Sequence, residues 1–197
     1  TYGVLMGSRS ALTVEGTITS TDSYAITGNG DGNYDNTLIH IKDGATVTSS
    51  STTAIYHPQV GVLNVSGGTI SGATGIEMRS GTLNMSGGTV TGQGTFAQTI
   101  NKGGPTTMGV GIAAVQHVTR NDLQVNITGG VVQGTQNAVR QNEVYDDPHN
   151  NVHVSITNGT FAATGTAPDA AAVFSGDNVQ NFISGGTFSG GVEPSYC

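Results

Sequence analysis

The sequence predicts an all-β solenoid of about seven rungs, each built from three short strands. Three observations predict it. A motif of the form I-x-G-G-T-[I/V]-x-G returns along the chain, at Val65–Gly72, Met85–Gly92, Ile127–Gly134, Ile156–Phe161 and Ile183–Gly190. Upstream of each motif stands an apolar-x-apolar triplet. Upstream of that stands a small residue followed by Val or Ile. Self-similarity at a period of roughly 20–30 residues marks a stacked array.

The elements follow from the repeat in order. The small-plus-apolar pairs define a first strand, a: Gly3-Val4, Ala25-Ile26, Ala54-Ile55, Gly75-Ile76, Gly111-Ile112, Ala138-Val139 and Ala172-Val173. The triplets define strand b: Leu12–Val14, Ile39–Ile41, Leu63–Val65, Leu83–Met85, Val125–Ile127, Val154–Ile156 and Asn181–Ile183. Their alternation is the period-two signature of a strand with one buried face. Strand c carries a third apolar column: Ile18, Val47, Ile70, Val90, Val132, Phe161 and Phe188. Each column is expected to stack on itself and fill the core. A helical reading fails, because Gly and β-branched residues dominate and no 3.6-residue stripe occurs. The Gly-Gly corner between b and c fits a tight turn with positive φ. At about 4.8 Å per rung the body is about 30 Å long. Variable rung length and long inserts favour the right-handed, three-sheet type over the strictly periodic left-handed one.

Composition narrows the function. The 197 residues suit one solenoid domain, read as part of a larger secreted protein. Charged residues make up only 10% of the chain, and the net charge is −7 with six Lys and Arg. That balance argues against a nucleic-acid groove and against an anionic-membrane surface. No stretch has the apolar length of a membrane span. The one cysteine, Cys197, rules out an internal disulfide, which suits a bacterial exterior. A monomer is expected.

The whole chain resembles the right-handed parallel β-helix, or pectate-lyase-like, superfold. The rungs L-N-V-S-G-G-T-I-S-G and L-N-M-S-G-G-T-V-T-G (from Leu63 and Leu83) are similar to repeats in large secreted or wall-bound proteins of Gram-positive gut bacteria. The tail, Phe182–Gly190 then Glu193–Cys197, resembles the segment that closes such arrays. The resemblance implies a parallel β-helix and a secreted or cell-surface location. It does not imply one activity, because the superfold hosts lyases, hydrolases, adhesins and phage tail proteins. Pectate lyases use an Arg base with carboxylate-bound calcium, and related hydrolases use clustered Asp beside a Gly-His-Gly. This chain has no Gly-His-Gly and no Asn-Thr-Asp, and its only adjacent aspartates are Asp146 and Asp147.

The densest charged stretches are two inserts. Strands a and b are joined by about five to seven residues in most rungs, but Gln116–Asp122 and Arg140–His149 are longer links, in rungs five and six. Side by side at one corner, they would gather His117, Arg120, Arg140, Glu143, Tyr145, Asp146 and Asp147 into a binding surface. A third insert, Gln93–Met108, is expected to fold its apolar residues back over the solenoid. The loop Asn29–Asn36 spaces oxygen side chains at alternate positions, as a calcium loop does. It lacks the sixth-position Gly and the bidentate acid of an EF-hand, so no cofactor is assigned and calcium there stays an alternative.

Three further features have structural readings. Leu5, Thr27, Tyr56, Glu77, Ala113, Arg140 and Phe174 follow the strand-a aliphatics and read as a mixed solvent face, with Tyr56 and Glu77 placed to stack on a sugar ring. Asn64, Asn84 and Asn126 read as an outward amide ladder. A T-x-T array runs from Thr17-Ile18-Thr19 to Thr89-Val90-Thr91 and breaks at Val131-Val132-Gln133. It is similar to the ice-binding faces of some solenoids, but Thr is also simply a good strand residue. The leading expectation is a non-catalytic adhesin-like module that binds a host protein or a glycan. The alternatives are a polysaccharide lyase or glycoside hydrolase acting on acidic glycans, and a structural stalk.

Overall fold

The computed structural model describes residues 1–30, 35–99, 103–119, 121–142, 152–176 and 179–197. It is a parallel β-helix. The first rung comprises β1 (Val4–Leu5), β2 (Ala11–Val14) and β3 (Thr17–Ser20), and the second β4 (Ile26–Thr27), β5 (Thr37–Ile41) and β6 (Thr46–Ser49). The third comprises β7 (Ile55–His57), β8 (Gly61–Val65) and β9 (Thr69–Gly72), and the fourth β10 (Ile76–Met78), β11 (Gly81–Met85) and β12 (Thr89–Gly92). A hairpin of β13 (Ala97–Gln98) and β14 (Thr107–Met108) intervenes. The fifth rung comprises β15 (Val110–Val115), β16 (Leu123–Ile127) and β17 (Val131–Gly134), and the sixth β18 (Asn137–Asn142), β19 (Val152–Ile156) and β20 (Thr160–Ala163). The seventh has β21 (Val173–Ser175) and β22 (Thr187–Ser189), with Ile183 bridging to Ile156 in place of a full strand.

Three parallel sheets result. Sheet A orders β1-β4-β7-β10-β15-β18-β21, sheet B runs from β2 to β19, and sheet C from β3 to β22. The register is the one the repeat predicts. Val4, Ile26, Ile55, Ile76, Ile112, Val139 and Val173 pair down sheet A. Ile18, Val47, Ile70, Val90, Val132, Phe161 and Phe188 pair down sheet C. The interior is one apolar cluster, in which Phe161 stacks on Phe188 at 5.0 Å between ring centroids.

The second glycine of each corner takes the strain. Gly68 and Gly88 have φ of +75° and +82°, and a Cβ on Gly88 would sit 2.5 Å from the Gly67 carbonyl oxygen. A side chain therefore fails there both in backbone conformation and in space. Outside sheet B the amide ladder forms. Asn84 Nδ2 donates to Asn64 Oδ1 at 3.1 Å, and Asn126 Nδ2 donates to Asn84 Oδ1 at 3.0 Å. On sheet C the threonines align in register, Thr17 with Thr46 and Thr69 with Thr89.

Residues 194–197 pack against the seventh rung. A 3-10 turn at Pro194–Tyr196 brings the Tyr196 carbonyl to accept from Phe182 N and Ile183 N. The Tyr196 ring is buried against Phe182, and its hydroxyl donates to the Ser175 carbonyl at 3.2 Å.

Candidate functional site

Period-two alternation places Leu5, Thr27, Tyr56, Glu77, Ala113, Arg140 and Phe174 on the outer face of sheet A, and their register confirms it. The expectation of an open solvent face is corrected. Thr27, Tyr56, Glu77, Ala113 and Arg140 are all buried. Over Glu77, Ala113 and Arg140 the cover is the insert, described at residues 93–99 and 103–108, which lies on the face as a strap. Phe96 of the strap packs on Val110, Ala113 and Val115, an outward cluster separate from the core. A signal for this was present in the sequence. Val110–Val115 is apolar at nearly every position, the pattern of a strand buried on both faces.

A buried ion pair holds the strap. Glu77 Oε1 accepts from the Thr106 amide at 2.7 Å and from the Thr106 hydroxyl at 2.9 Å, and Oε2 accepts from the Thr107 amide at 3.4 Å. Arg79 Nη1 lies 3.7 Å from Glu77 Oε1 and donates to the Gly104 carbonyl, while Nη2 donates to the Gln116 carbonyl at 3.2 Å. Both side chains are fully buried. Burial pushes the Glu77 carboxyl above its usual range, against the pull of Arg79 and of the Thr106 and Thr107 donors. Glu77 thus lies beneath the strap and Tyr56 against the Tyr24 ring, not against solvent. Of the insert's apolar residues Phe96 folds back as expected, Ala97 and Met108 are exposed, and Ile100 lies outside the described residues.

The corner between sheets A and B differs from expectation in one respect. Long links were expected only in rungs five and six, but residues 28–36 also form a long link, in rung two. Packing shows where it goes. A Cβ on Gly28 would overlap the Gln59 side chain, and one on Gly30 would lie 2.6 Å from the His117 ring. Gly28 and Gly30 of the rung-two link therefore lie against Gln59 of rung three and His117 of rung five. Gln59 is buried against it, and Arg79 and Ser80 of rung four are buried too.

Two of the predicted binding residues are described. His117 is buried under Gly30, with Nδ1 3.0 Å from the Thr119 hydroxyl. Arg140 is sandwiched between aromatic rings, 3.9 Å from the Phe174 centroid and 5.0 Å from that of Phe96. It also donates to Asn137 Oδ1 at 3.0 Å and to Gln98 Oε1 at 2.9 Å, which ties the strap to rung six. Arg120, Glu143, Tyr145, Asp146 and Asp147 lie outside the described residues. So do residues 31–34 of the loop considered for calcium. Its Asp35 carboxylate accepts from the Ser8 hydroxyl at 3.0 Å. Among the described residues no cluster of three His, Cys, Asp or Glu side chains stands ready for a metal.

Beyond the strap, on the first three rungs, the same face carries an aromatic stack that the sequence reading missed. Tyr2 and Tyr24 lie 5.9 Å apart and are parallel within 5°, and Tyr24 and Tyr56 lie 5.0 Å apart at 22°. Tyr56 is buried, Tyr24 half-buried, and Tyr2 is 49% exposed. Beside the stack is a cleft of about 320 Å³, lined also by Leu5, Thr27, Gly28, Asn29 and, from the strap, Gly103. Burial raises the Tyr24 phenol to about 12, so that hydroxyl is uncharged at neutral pH. The clue in the sequence was the tyrosine two positions before the strand-a aliphatic, at Tyr2 and Tyr24.

With this geometry in hand, comparison with protein-family models, with curated proteins and with solved structures finds no match.

The interior under the A–B corner carries a titratable group with a measurable consequence. His57 is fully buried, and its Nδ1 donates to the Ser80 carbonyl at 3.1 Å. Burial lowers its pKa from the usual 6.5 to about 4. Above about pH 6.5 the imidazole is neutral whether folded or unfolded, and its contribution is fully present. As pH falls, the unfolded chain takes up a proton that the folded chain refuses until about pH 4. Stability therefore falls by about 1.4 kcal/mol per pH unit across that window, or about 3 kcal/mol in all. Glu77, whose pKa is raised, works in the opposite sense, so a variant must isolate the histidine. Urea unfolding of wild type and His57→Gln between pH 7 and 4.5 should give curves that converge as pH falls. Parallel curves would contradict a buried neutral His57.

Proposed function

We propose that the domain is a non-catalytic binding module of a secreted or cell-surface protein, holding a host protein or a glycan on the outer face of sheet A. One observation carries the reading: the strap engages this face's buried charges, and among the described residues the open part is lined by tyrosines and uncharged side chains. General acid–base catalysis needs a titratable group within reach of a reacting atom. Both oxygens of Glu77 instead accept bonds from the strap. Arg140 is held between two rings. An enzyme for acidic glycans would need a basic groove. Here six residues are Lys or Arg, and two of them, Arg79 and Arg140, are buried. A rigid sheet with neighbouring loops suits recognition, because loops on a stable scaffold are where binding concentrates.

The test is a binding panel. The protein, presented to a glycan array and to immobilised extracellular host proteins, should retain at least one member without altering its mass. Retention of none would contradict the reading and leave the role of a spacer.

A further inference from the structure

We infer that the groove along the edge where sheet C turns into sheet A binds a neutral oligosaccharide, an inference that rests on the binding reading and names its ligand class. The groove consists of two pockets that meet at Gln93 and Gly94, where the strap leaves the solenoid. One, of about 410 Å³, lies between the strap and the turn 165–169. The other, of about 500 Å³, lies over the turns 48–51 and 72–73. Together they follow the turns between strands c and a in rungs two to six, a length of about 20 Å at about 4.8 Å per rung. The strap supplies one large apolar side chain to each pocket, half-buried Phe96 to the first and Met108 to the second. Every residue lining the groove is described, as are residues 92–99, 133–142 and 163–172 around the first pocket. Rungs one and seven flank it on either side.

Three observations favour a row of sugar rings over other guests. First, the backbone of these turns is already in use. Gln93 N donates to the Gly72 carbonyl at 2.8 Å, Gly94 N to the Ala73 carbonyl at 3.0 Å, and Gly165 N to the Thr135 carbonyl at 2.9 Å. An extended peptide binds by adding to a backbone ladder, and these amides offer it none. Recognition falls to the side chains. Second, the side chains are available. Among the described residues the Gln93 amide, the Thr95 and Thr166 hydroxyls and the Asp169 carboxylate enter no hydrogen bond, and all four residues are exposed. They offer donors and acceptors together, which matches a rim of hydroxyls. A pyranose also presents a face of C–H groups, and Phe96 and Met108 are its apolar counterparts. Third, the charge selects a neutral guest. Asp169 is the one charged residue lining either pocket, so it opposes a uronate or a phosphate. A cation fits poorly too, because the Arg140 guanidinium already lies 5.0 Å from the Phe96 centroid, where Asp169 supports its charge against burial. Neutral hydroxyls can still donate to the Asp169 oxygens in charge-assisted bonds.

The experiment combines saturation-transfer NMR and calorimetry on the whole chain. The probes are neutral oligosaccharides of glucose, galactose, mannose, xylose and N-acetylhexosamines, each beside its monosaccharide, with hexuronate oligomers and the host-protein panel run alongside. At least one neutral oligosaccharide should bind, with saturation reaching its ring C–H protons, and more tightly than its monosaccharide because it crosses both pockets. Asp169→Ala should weaken that binding about tenfold or more, through lost charge-assisted bonds. Gln93→Ala, at the junction of the pockets, should weaken the oligosaccharide more than the monosaccharide. Both side chains are exposed, so both melting temperatures should stay at the wild-type value. His153→Ala, exposed on sheet B, should bind as wild type. Neutral-sugar binding undiminished in Asp169→Ala and Gln93→Ala would overturn the inference and leave the binding reading intact. So would binding of only uronates or only proteins. Retention of nothing in any arm would overturn both.

Discussion

Val90→Asp should abolish cooperative folding. Val90 is fully buried in the sheet C column, paired with Ile70 on one side and Val132 on the other. Its Cγ1 lies 2.5 Å from where a Cβ on Gly75 would be, so the neighbouring strand leaves no room for a shifted side chain. An aspartate there is an unpaired charge among aliphatic groups, or a neutral acid with no hydrogen-bond partner. Either costs several kcal/mol, against the 5–15 kcal/mol total of an ordinary domain. Each rung is also the template for the next, so a fault in rung four weakens both halves of the array. Circular dichroism should show no melting transition, or one many degrees lower. Thr91→Asp, one residue on and facing outward, should melt near wild type. A wild-type melt for Val90→Asp would mean that the register is wrong.

The second large effect is at the strap. Glu77→Ala removes the carboxylate that lies beside the buried Arg79 guanidinium and strips the Thr106 and Thr107 donors of their acceptor. Removing one partner of a buried pair costs about 3–5 kcal/mol. Replacing both partners by apolar groups of similar volume is often close to neutral, so Glu77→Leu combined with Arg79→Met should recover much of the loss. Urea unfolding measures both. Hydrogen exchange localises the damage, because the Thr106 and Thr107 amides should exchange faster in Glu77→Ala while those of sheet C stay protected. Additive losses in the double variant would mean that the two charges do not act as a pair.

The columns were legible because stacking is local in pattern. Every rung repeats the same buried positions, so Ile70, Val90 and Val132 could be aligned by their Gly-Gly corners alone. The strap was half legible. Its apolar residues suggested a return to the solenoid, and Phe96 makes one. Its polar anchors were not legible. In Ile76-Glu77-Met78 the alternation puts Glu77 outward, and outward normally means solvent. Only the arrival of Thr106 and Thr107, from an insert thirty residues downstream in a different element, makes that position an interior. Arg140 misled in the same way, since the rings of Phe96 and Phe174 enclose a charge that sequence position alone would expose. The Gly28 and Gly30 contacts were hidden by the turn-like Asn29-Gly30-Asp31-Gly32, which gave no sign that the link reaches His117. The tyrosine stack joins residues at two offsets, Tyr2 and Tyr24 before the aliphatic and Tyr56 after it. An in-register comparison of rungs therefore separates Tyr56 from its partners.

The claim that this face recognises rather than reacts is tested most directly by turnover. The intact protein should be incubated with pectin, polygalacturonate, hyaluronan and alginate, with and without calcium, and the products read by mass spectrometry. The expected result is an unchanged mass distribution for every substrate. New unsaturated or reducing ends that disappear in Glu77→Gln, Arg140→Ala or Asp147→Ala would contradict the account and make the domain an enzyme.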